Sequence, residues 1–398
     1  MNASTTVWAV TVAVIVGLLA FDFFFHVRTP HTPTLREAAI WSAAYIGVAV
    51  LFGVWVTFSG GVDVGEEYFA GYLTEKALSV DSMFVFLVVM GAFAVPRAYQ
   101  QKVLLFGIAF ALVARTGLIF VGAALIENFA WVFYLFGLLL LLTAGHLLKP
   151  EDTETRNGEN IVVRLVRRVI PTTDTYDGDR LFTVQNGRRM ATPMLLVMIA
   201  IGGTDILFAL DSVPAIFGIT QDVYLVFTAT AFSLLGLRQL YFLIDGLLDR
   251  LIYLSYGLAA ILGLIGVKLI LHALHENSVG FINGGQPVDV VEISVGVTLV
   301  SILAILTLTT IASLLSPTGR AHTAAAAVRR HATEYREGTD LAVTDRKAAY
   351  DNLIEAYARF EALPDKLRAK ADATALAALV DEATALRDGD HDPTSTSG

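Results

Sequence analysis

The chain has 398 residues, 55% of them hydrophobic and 16% charged, with no cysteine and a formal net charge of −9. A soluble domain carries about 25% charged residues and spreads its apolar residues in stripes, so this composition excludes a soluble globular protein and indicates a chain that crosses a membrane many times. Without cysteine, thiolate zinc sites, iron–sulfur clusters and disulfides are excluded, any metal must be held by oxygen or imidazole, and the acidic balance offers nothing to nucleic acid.

Nine stretches are apolar and long enough to be read as spanning helices, near 3–25, 37–59, 68–94, 103–124, 129–148, 191–217, 222–243, 251–272 and 291–315. The first has no basic residue before it and no small-x-small cleavage site, and Arg28 and Arg36 follow it, so it is expected to be a retained span rather than a signal peptide. Lys and Arg then fall in alternate loops. Arg97 and Lys102 lie in loop 95–102, Lys149, Arg156, Arg164, Arg167, Arg168, Arg180, Arg188 and Arg189 in loop 149–190, and Arg250 in a third. The opposite loops carry Asp63, Glu66, Glu67, Glu127, Asp222, Glu276 and Asp289 and no basic residue. The positive-inside rule therefore places the N-terminus outside and the C-terminus in the cytoplasm. Within loop 149–190, the stretch Ile161 to Ile170 is amphipathic and sets topology, with lipid headgroups a second use for its arginines.

After Pro317 the chain turns Ala-rich and charge-dense, with Tyr350, Leu353, Ile354, Tyr357 and Phe360 at helical spacing. The expected organisation is a transmembrane domain over 1–316 and a cytoplasmic helical tail over 317–398, a hairpin broken near Pro364 with a disordered end from Asp388.

Ionisable residues inside a span cost about 2.5–3.5 kcal/mol on insertion scales, so each is a functional candidate. Span three reads GYLTEKALSVDSMFVF, with Glu75, Lys76, Asp81 and Ser82; span six reads GGTDILFALDSVPAIF, with Asp205, Asp211 and Ser212. Both follow one pattern: an acid, five residues, then Asp-Ser. Each is followed a span later by an arginine, Arg115 after FALVAR and Arg238 after FSLLGLR, and AGHLL near Gly145 matches IGVKL near Gly266. The chain thus reads as two three-helix repeats, 68–148 and 191–272, which enter the membrane from opposite sides as in secondary transporters. Gly202, Gly203 and Pro214 offer places for an interruption in span six, and Gly91 and Pro96 lie late in span three.

Residues six apart on one helix are separated by about 9 Å in height and about 120° in azimuth. One acid from each repeat is therefore the preferred arrangement, with Asp81 facing Asp211 and the two central acids most sensitive to substitution. Carboxylates and hydroxyls without thiols form a hard oxygen site suited to Mn²⁺, Mg²⁺ or Ca²⁺. The competing structural reading pairs Asp81 with Arg115 and Asp211 with Arg238; between the two, the arginines act as counter-charges while the ion is absent. Lys76 and Lys268 are read as snorkelling, His146 as an interior residue, and Asp22 as either site or interface.

FAGYLTEKALSVDSMFVF, TDILFALDSVPAIFGIT and LLGLRQLYFL resemble the signature segments of the TerC family of integral membrane proteins, and the resemblance runs from Asp22 to Lys268. It implies a bacterial plasma-membrane protein associated with tellurium resistance, related to LysE-type cation exporters and to Mn²⁺ efflux or the supply of manganese to exported enzymes. The family's intramembrane acids map onto Asp22, Glu75, Asp81, Asp205 and Asp211. Ser82, Gly202 and Thr230 depart from its usual Asn, Glu and Asn.

The expected fold is an all-α polytopic membrane protein of nine spanning helices. The expected function is export of a divalent cation, most favourably Mn²⁺ as the bound or transported ion. Its metal ligands are Asp81, Asp211, Glu75, Asp205, Asp22, Ser82 and Ser212, and its counter-charges are Arg115, Arg238 and Lys268. The alternative is a membrane partner that metallates or assists exported proteins, or a stress-resistance complex, without net flux. Its partners are then the bilayer and a cytoplasmic or secretion-machinery protein. No nucleophile–base set or nucleotide loop is apparent, so an enzyme is not expected.

Overall fold

The structure, a computed structural model, describes residues 4–24, 35–93, 95, 97–129, 131–148, 172–173, 176–178, 180–185, 188–244, 253–277, 279, 282–337, 343–369 and 373–390. The amphipathic stretch 161–170, most of the basic loop residues, Arg250 and the end of the tail after Asp390 lie outside the described residues.

The chain divides into two compact units, one formed by Met1–Leu243 with Ser255–Thr307, the other by Ile244–Leu254 with Leu308–Gly398. The first holds α1 (Thr5–Asp22), α2 (Leu35–Gly60), α3 (Val62–Ala92), α4 (Arg97–Asn128) and α5 (Val132–Leu147). After a small antiparallel hairpin, β1 (Phe182–Gln185) with β2 (Arg188–Ala191), come α6 (Pro193–Phe217), α7 (Val223–Leu234), α8 (Leu237–Ile244), α9 (Leu254–His275) and most of α10 (Val295–Leu315). Helix starts use local chemistry. Ser4 Oγ accepts from the Val7 amide at 3.3 Å at the start of α1, Pro193 opens α6, and the Asp222 carboxylate caps α7 through the Tyr224 and Leu225 amides.

Among the described residues, six helices are long and apolar enough to cross a membrane: α1, Arg36–Gly60, Tyr99–Asn128, α6, α9 and α10. The other three expected spans are helical but differ in kind. Helix α3 is long enough but carries Asp63, Glu66, Glu67, Glu75, Lys76 and Asp81, and α5 has only 16 residues. The seventh expected span is not one helix, because it breaks at Leu235–Gly236 into α7 and α8. Helix α6 is the reverse case, since the possible interruptions do not break it. It runs unbroken through Gly202 and Gly203 and keeps Pro214 in its last turns. A proline that late loses a bond to residue 210 only, and Pro214 O still accepts from the Gly218 amide at 3.0 Å.

The interior of this unit is built on α3, α4, α6 and α7. A Cβ on Gly71 would lie 3.3 Å from the Ala229 Cβ, and Lys76 reaches Ser233, so α3 and α7 run side by side in one direction. Gly71 also meets Ile216, whereas Met83 and Phe86 pack with Met194 and Val197, so α3 and α6 run antiparallel. On the other flank α5 meets α9 through two glycines. A Cβ on Gly137 would come within 2.9 Å of Gly266 O, and one on Gly266 within 3.0 Å of Gly137 O. Bare glycine backbones are how spanning helices approach this closely. Gly145, the sequence match to Gly266, faces open space.

The second unit contains α11 (Pro317–Glu337), α12 (Val343–Glu361), α13 (Asp365–Arg368) and α14 (Ala373–Asp390). Val328, Tyr335, Leu353, Phe360, Leu376 and Val380 form its core. The expected hairpin is therefore a three-helix packing with a short turn of helix after Pro364. The helix persists through Asp388 to Asp390, where disorder was expected, because Leu376, Val380 and Ala383 give α14 an apolar stripe to bury.

Candidate cation site

Helix α3 presents Glu75, Ser79 and Ser82 at i, i+4 and i+7, and all three are buried. Helix α6 presents Asp205 and Ser212 seven residues apart, again one stripe and again buried. Between the two stripes α4 inserts Arg115, itself fully buried. Arg115 Nη1 is ion-paired with Glu75 Oε1 and donates to Ser212 Oγ at 3.2 Å; Nη2 donates to Asp205 Oδ1 at 3.0 Å, and Nε to Oδ2 at 3.5 Å. One guanidinium thus clamps the first acid of each motif, one from α3 and one from α6.

This arrangement differs from the pairing in the competing structural reading. Arg115 pairs with Glu75 and Asp205 rather than with Asp81, and Arg238 pairs with Asp22 rather than with Asp211. Asp81 and Asp211 are only half-buried, and Asp211 accepts a hydrogen bond from Thr143 Oγ1 of α5 at 2.9 Å. The helical arithmetic explains the difference. Turning Glu75 inward, between α6 and α7, swings Asp81 about 120° round the helix, and the same holds for Asp205 and Asp211. Ser82 stays on the inward face and donates to Ser79 O at 2.8 Å.

Among the described residues, several buried oxygens on α3 and α7 have no hydrogen-bond partner. They are Glu75 Oε2, Ser79 Oγ one turn further along α3, and Thr230 Oγ1 on α7. Buried polar atoms are nearly always satisfied, so such a group on facing helices is a place where a ligand could sit. Among the described residues, no group of three or more His, Asp or Glu is placed to hold a metal ion. The donor set here is two carboxylates plus hydroxyls.

Lys76 does not snorkel. Its Nζ donates to the carbonyls of Ser233 at 2.9 Å and Leu235 at 3.4 Å, the carbonyls freed where α7 ends. Nor is His146 interior: it lies exposed on α5. Lys268 lines a cavity of about 510 Å³ together with Glu67, Thr220, His272, Glu292 and Ser294. There Thr220 Oγ1 donates to Glu67 Oε2 at 2.5 Å, and His272 Nδ1 lies 2.9 Å from Glu292 Oε1. The Glu292 carboxyl is held below its ordinary value chiefly by that hydrogen bond. The charges of His272, His275 and Lys268 add to the effect, and partial burial opposes it. Glu75, Arg115 and Asp205 do not line this cavity.

Asp22 belongs to a separate buried network. Arg238 donates to its two oxygens from Nη2 at 2.8 Å and Nε at 3.0 Å, Gln239 Nε2 at 2.6 Å and Tyr45 OH at 3.2 Å. Arg238 Nη1 donates onward to Gln101 Oε1 at 2.8 Å. Sequence reasoning missed Ser79, Tyr45, Gln101, Thr143 and Gln239. Their one signal was a polar side chain in or beside an apolar stretch, which does not say what it meets.

The family model described as "Integral membrane protein TerC family" matches residues 61–319. An uncharacterized membrane protein of Mycobacterium tuberculosis is 58% identical over 373 residues, covering 92% of this chain and 94% of that one. A membrane protein of Myxococcus xanthus is 41% identical over 266 residues, 67% of this chain and 83% of its own. The thylakoid membrane protein TERC of Arabidopsis thaliana is 44% identical over 245 residues, 60% of this chain and 64% of its own. No solved structure matches the chain. The matched region contains Glu75, Arg115, Asp205, Ser212 and Arg238, so both motifs and both arginines lie within it, and the chain belongs to the TerC family of integral membrane proteins.

Proposed function

We propose that the chain is a bacterial plasma-membrane exporter of a divalent cation, Mn²⁺ in the first instance, with nine crossings, an outer N-terminus and a cytoplasmic tail. The observation that carries this reading is the convergence of Glu75 and Asp205, from two antiparallel helices, on one buried arginine beside unpartnered oxygens. The charges of this interior are Glu75 and Asp205 against Arg115 and Lys76, which sum to zero without any ion. Two carboxylates alone would match a divalent cation, and an oxygen-only set suits a hard one. Arg115 then acts as the resting counter-charge, and the cation takes its place on the carboxylates.

The test is flux with purified full-length protein in liposomes, loaded and read with Mn²⁺. Uptake above protein-free vesicles that disappears in Glu75→Gln and in Asp205→Asn supports the reading; flux equal to empty vesicles refutes it. A second reading, a membrane partner that assists exported proteins without flux, draws its support from the separately cored unit of α11–α14. Under it, deleting that unit abolishes co-purification with secretion components. Under the exporter reading, the deletion leaves Mn²⁺ flux intact.

A further inference from the structure

The network around Asp22 lies outside the clamp on Arg115, and it sits at the opposite end of the first unit from the cavity. The cavity is formed where α6 and α9 end and where α3 and α10 begin. The Asp22 network is formed where α1 ends and α4 begins, and it holds α8. One end is open enough for a cavity of about 510 Å³. The other is tied by five polar side chains from four helices: Asp22 of α1, Tyr45 of α2, Gln101 of α4, and Arg238 and Gln239 of α8. Four of the five are under 5% exposed or close to it, and Asp22 is 6% exposed.

The helix they hold is separated from α7 by a two-residue break. Leu235 is extended at φ −63°, ψ 135°, and Gly236 takes φ +78°, a conformation that side chains other than glycine rarely adopt. A break of this kind frees the last carbonyls of α7. Lys76 takes two of them from the neighbouring helix, so the break is held by an ammonium rather than left open. Gly236 in turn packs on Tyr45, whose hydroxyl reaches Asp22, so the break and the charge network share a residue.

We infer that α8 is a gate. It hinges at Leu235–Gly236, Lys76 secures the fixed side of the hinge, and the Asp22–Arg238 pair is the latch that keeps this end of the bundle shut. The inference rests on the exporter reading for what passes the gate, and it assigns Asp22 to gating rather than to cation binding. A hinge moves a short helix at little cost only if what fastens it can be undone together, and here one carboxylate takes four of the five donated bonds, from Arg238, Gln239 and Tyr45, with Gln101 taking the fifth. In the arrangement observed, the described side chains are tied together at the latch end while a cavity lies at the other, the asymmetry that alternating access requires.

The chain has no cysteine, so introduced thiols are unique reporters. Ser233, buried just before the break, is the reporter position. Full-length Ser233→Cys protein is reacted with a membrane-impermeant maleimide in right-side-out and in inside-out vesicles. Slow labelling from both sides is expected with the latch intact. Adding Asp22→Asn or Arg238→Gln should raise labelling at least tenfold from the α8 side only, and the exchange Asp22→Arg with Arg238→Asp should bring it back towards the parent rate. Unchanged rates in both single variants, or an equal rise from both sides, overturn the gate.

If neither single variant inserts, the pair Asp22→Cys with Gln239→Cys carries the test. Their disulfide should lower Mn²⁺ flux at least tenfold, with recovery on reduction, and undiminished flux in the oxidised protein overturns the proposal. A parent protein without Mn²⁺ flux refutes the exporter reading alone, because the labelling rates still decide whether α8 moves.

Discussion

Replacing Arg115 by Gln removes the cation that, among the described residues, Glu75 and Asp205 share, and the consequence can be worked out from the geometry. Arg115 makes an ion pair to Glu75, two contacts to Asp205 and one to Ser212, and all four side chains are buried. Removing one partner of a buried pair typically costs ~3–5 kcal/mol, because a charge is left without compensation in a low dielectric. At about 2 °C per kcal/mol, the lower end for large domains, the expected fall in melting temperature in chelator is about 6–10 °C. A cation that binds the two carboxylates should return much of this. At a concentration 100 times its dissociation constant, a ligand adds about 2.7 kcal/mol. In the parent, the same cation must first displace Arg115, so its stabilisation should be smaller. The assay is thermal unfolding of detergent-solubilised parent and Arg115→Gln protein in chelator and across a Mn²⁺ titration. An unchanged melting temperature in chelator refutes the clamp. Equal Mn²⁺ shifts in both proteins refute the idea that cation and arginine compete for the same carboxylates.

Glu75→Gln and Asp205→Asn should each lower Mn²⁺ flux at least tenfold at normal membrane abundance, with Asp81→Asn and Asp211→Asn milder; the reverse order, measured in liposomes, returns the site to the half-buried acids. Gly266→Ala should destabilise by about 1–3 kcal/mol, since its Cβ would press on Gly137 O at 3.0 Å, and trimming Leu141 should not rescue it because the obstacle is backbone. Glu292→Gln should cost stability near neutral pH and progressively less as pH falls below the ordinary carboxylate range. A carboxyl whose folded pKa is depressed stabilises above its unfolded value and loses that contribution as pH drops through the folded one. Melts of parent and variant between pH 3 and pH 7, on the order of the carboxylate range and above it, check the sign.

Composition made the membrane class legible, and the positions of the apolar stretches gave nearly every helix of the first unit. What sequence periodicity could not supply was which acid of each motif turns inward. Glu75 and Asp81 have equal claims on a list, and only the packing of α3 against both α6 and α7 decides between them. The same packing hid the break after Leu235: LLGLR is apolar enough to pass for a continuous span, and its single glycine carries no sign of the positive φ it adopts. Glycines were equally ambiguous in α6. Gly202 reads as a break but instead admits the ring of Phe110, which would lie 3.0 Å from a Cβ there. Glycine marks close approach as often as it marks a turn, and sequence alone does not separate the two.

The clamp also bears on selectivity. An interior with two buried carboxylates cannot rest empty, because each uncompensated charge at that depth costs several kcal/mol. Arg115 removes the cost while no ion is bound, but it does so with one charge spread over a planar fork, which satisfies two carboxylates only in part. The unpartnered Glu75 Oε2, Ser79 Oγ and Thr230 Oγ1 are the remainder. A monovalent ion that displaced Arg115 would replace one positive charge by another and lose the five guanidinium donors, so it gains little. A divalent ion brings one more charge to the same oxygens and can use the unpartnered ones as well. Discrimination by charge follows from exchanging an ion against a fixed guanidinium. Arg115→Lys should therefore weaken it: a compact ammonium holds the two carboxylates less well, and monovalent ions should then compete with Mn²⁺ at lower concentration than in the parent. Competition by Na⁺ and K⁺ in the liposome assay, unchanged between Arg115 and Lys at that position, would show that the guanidinium does not set the preference.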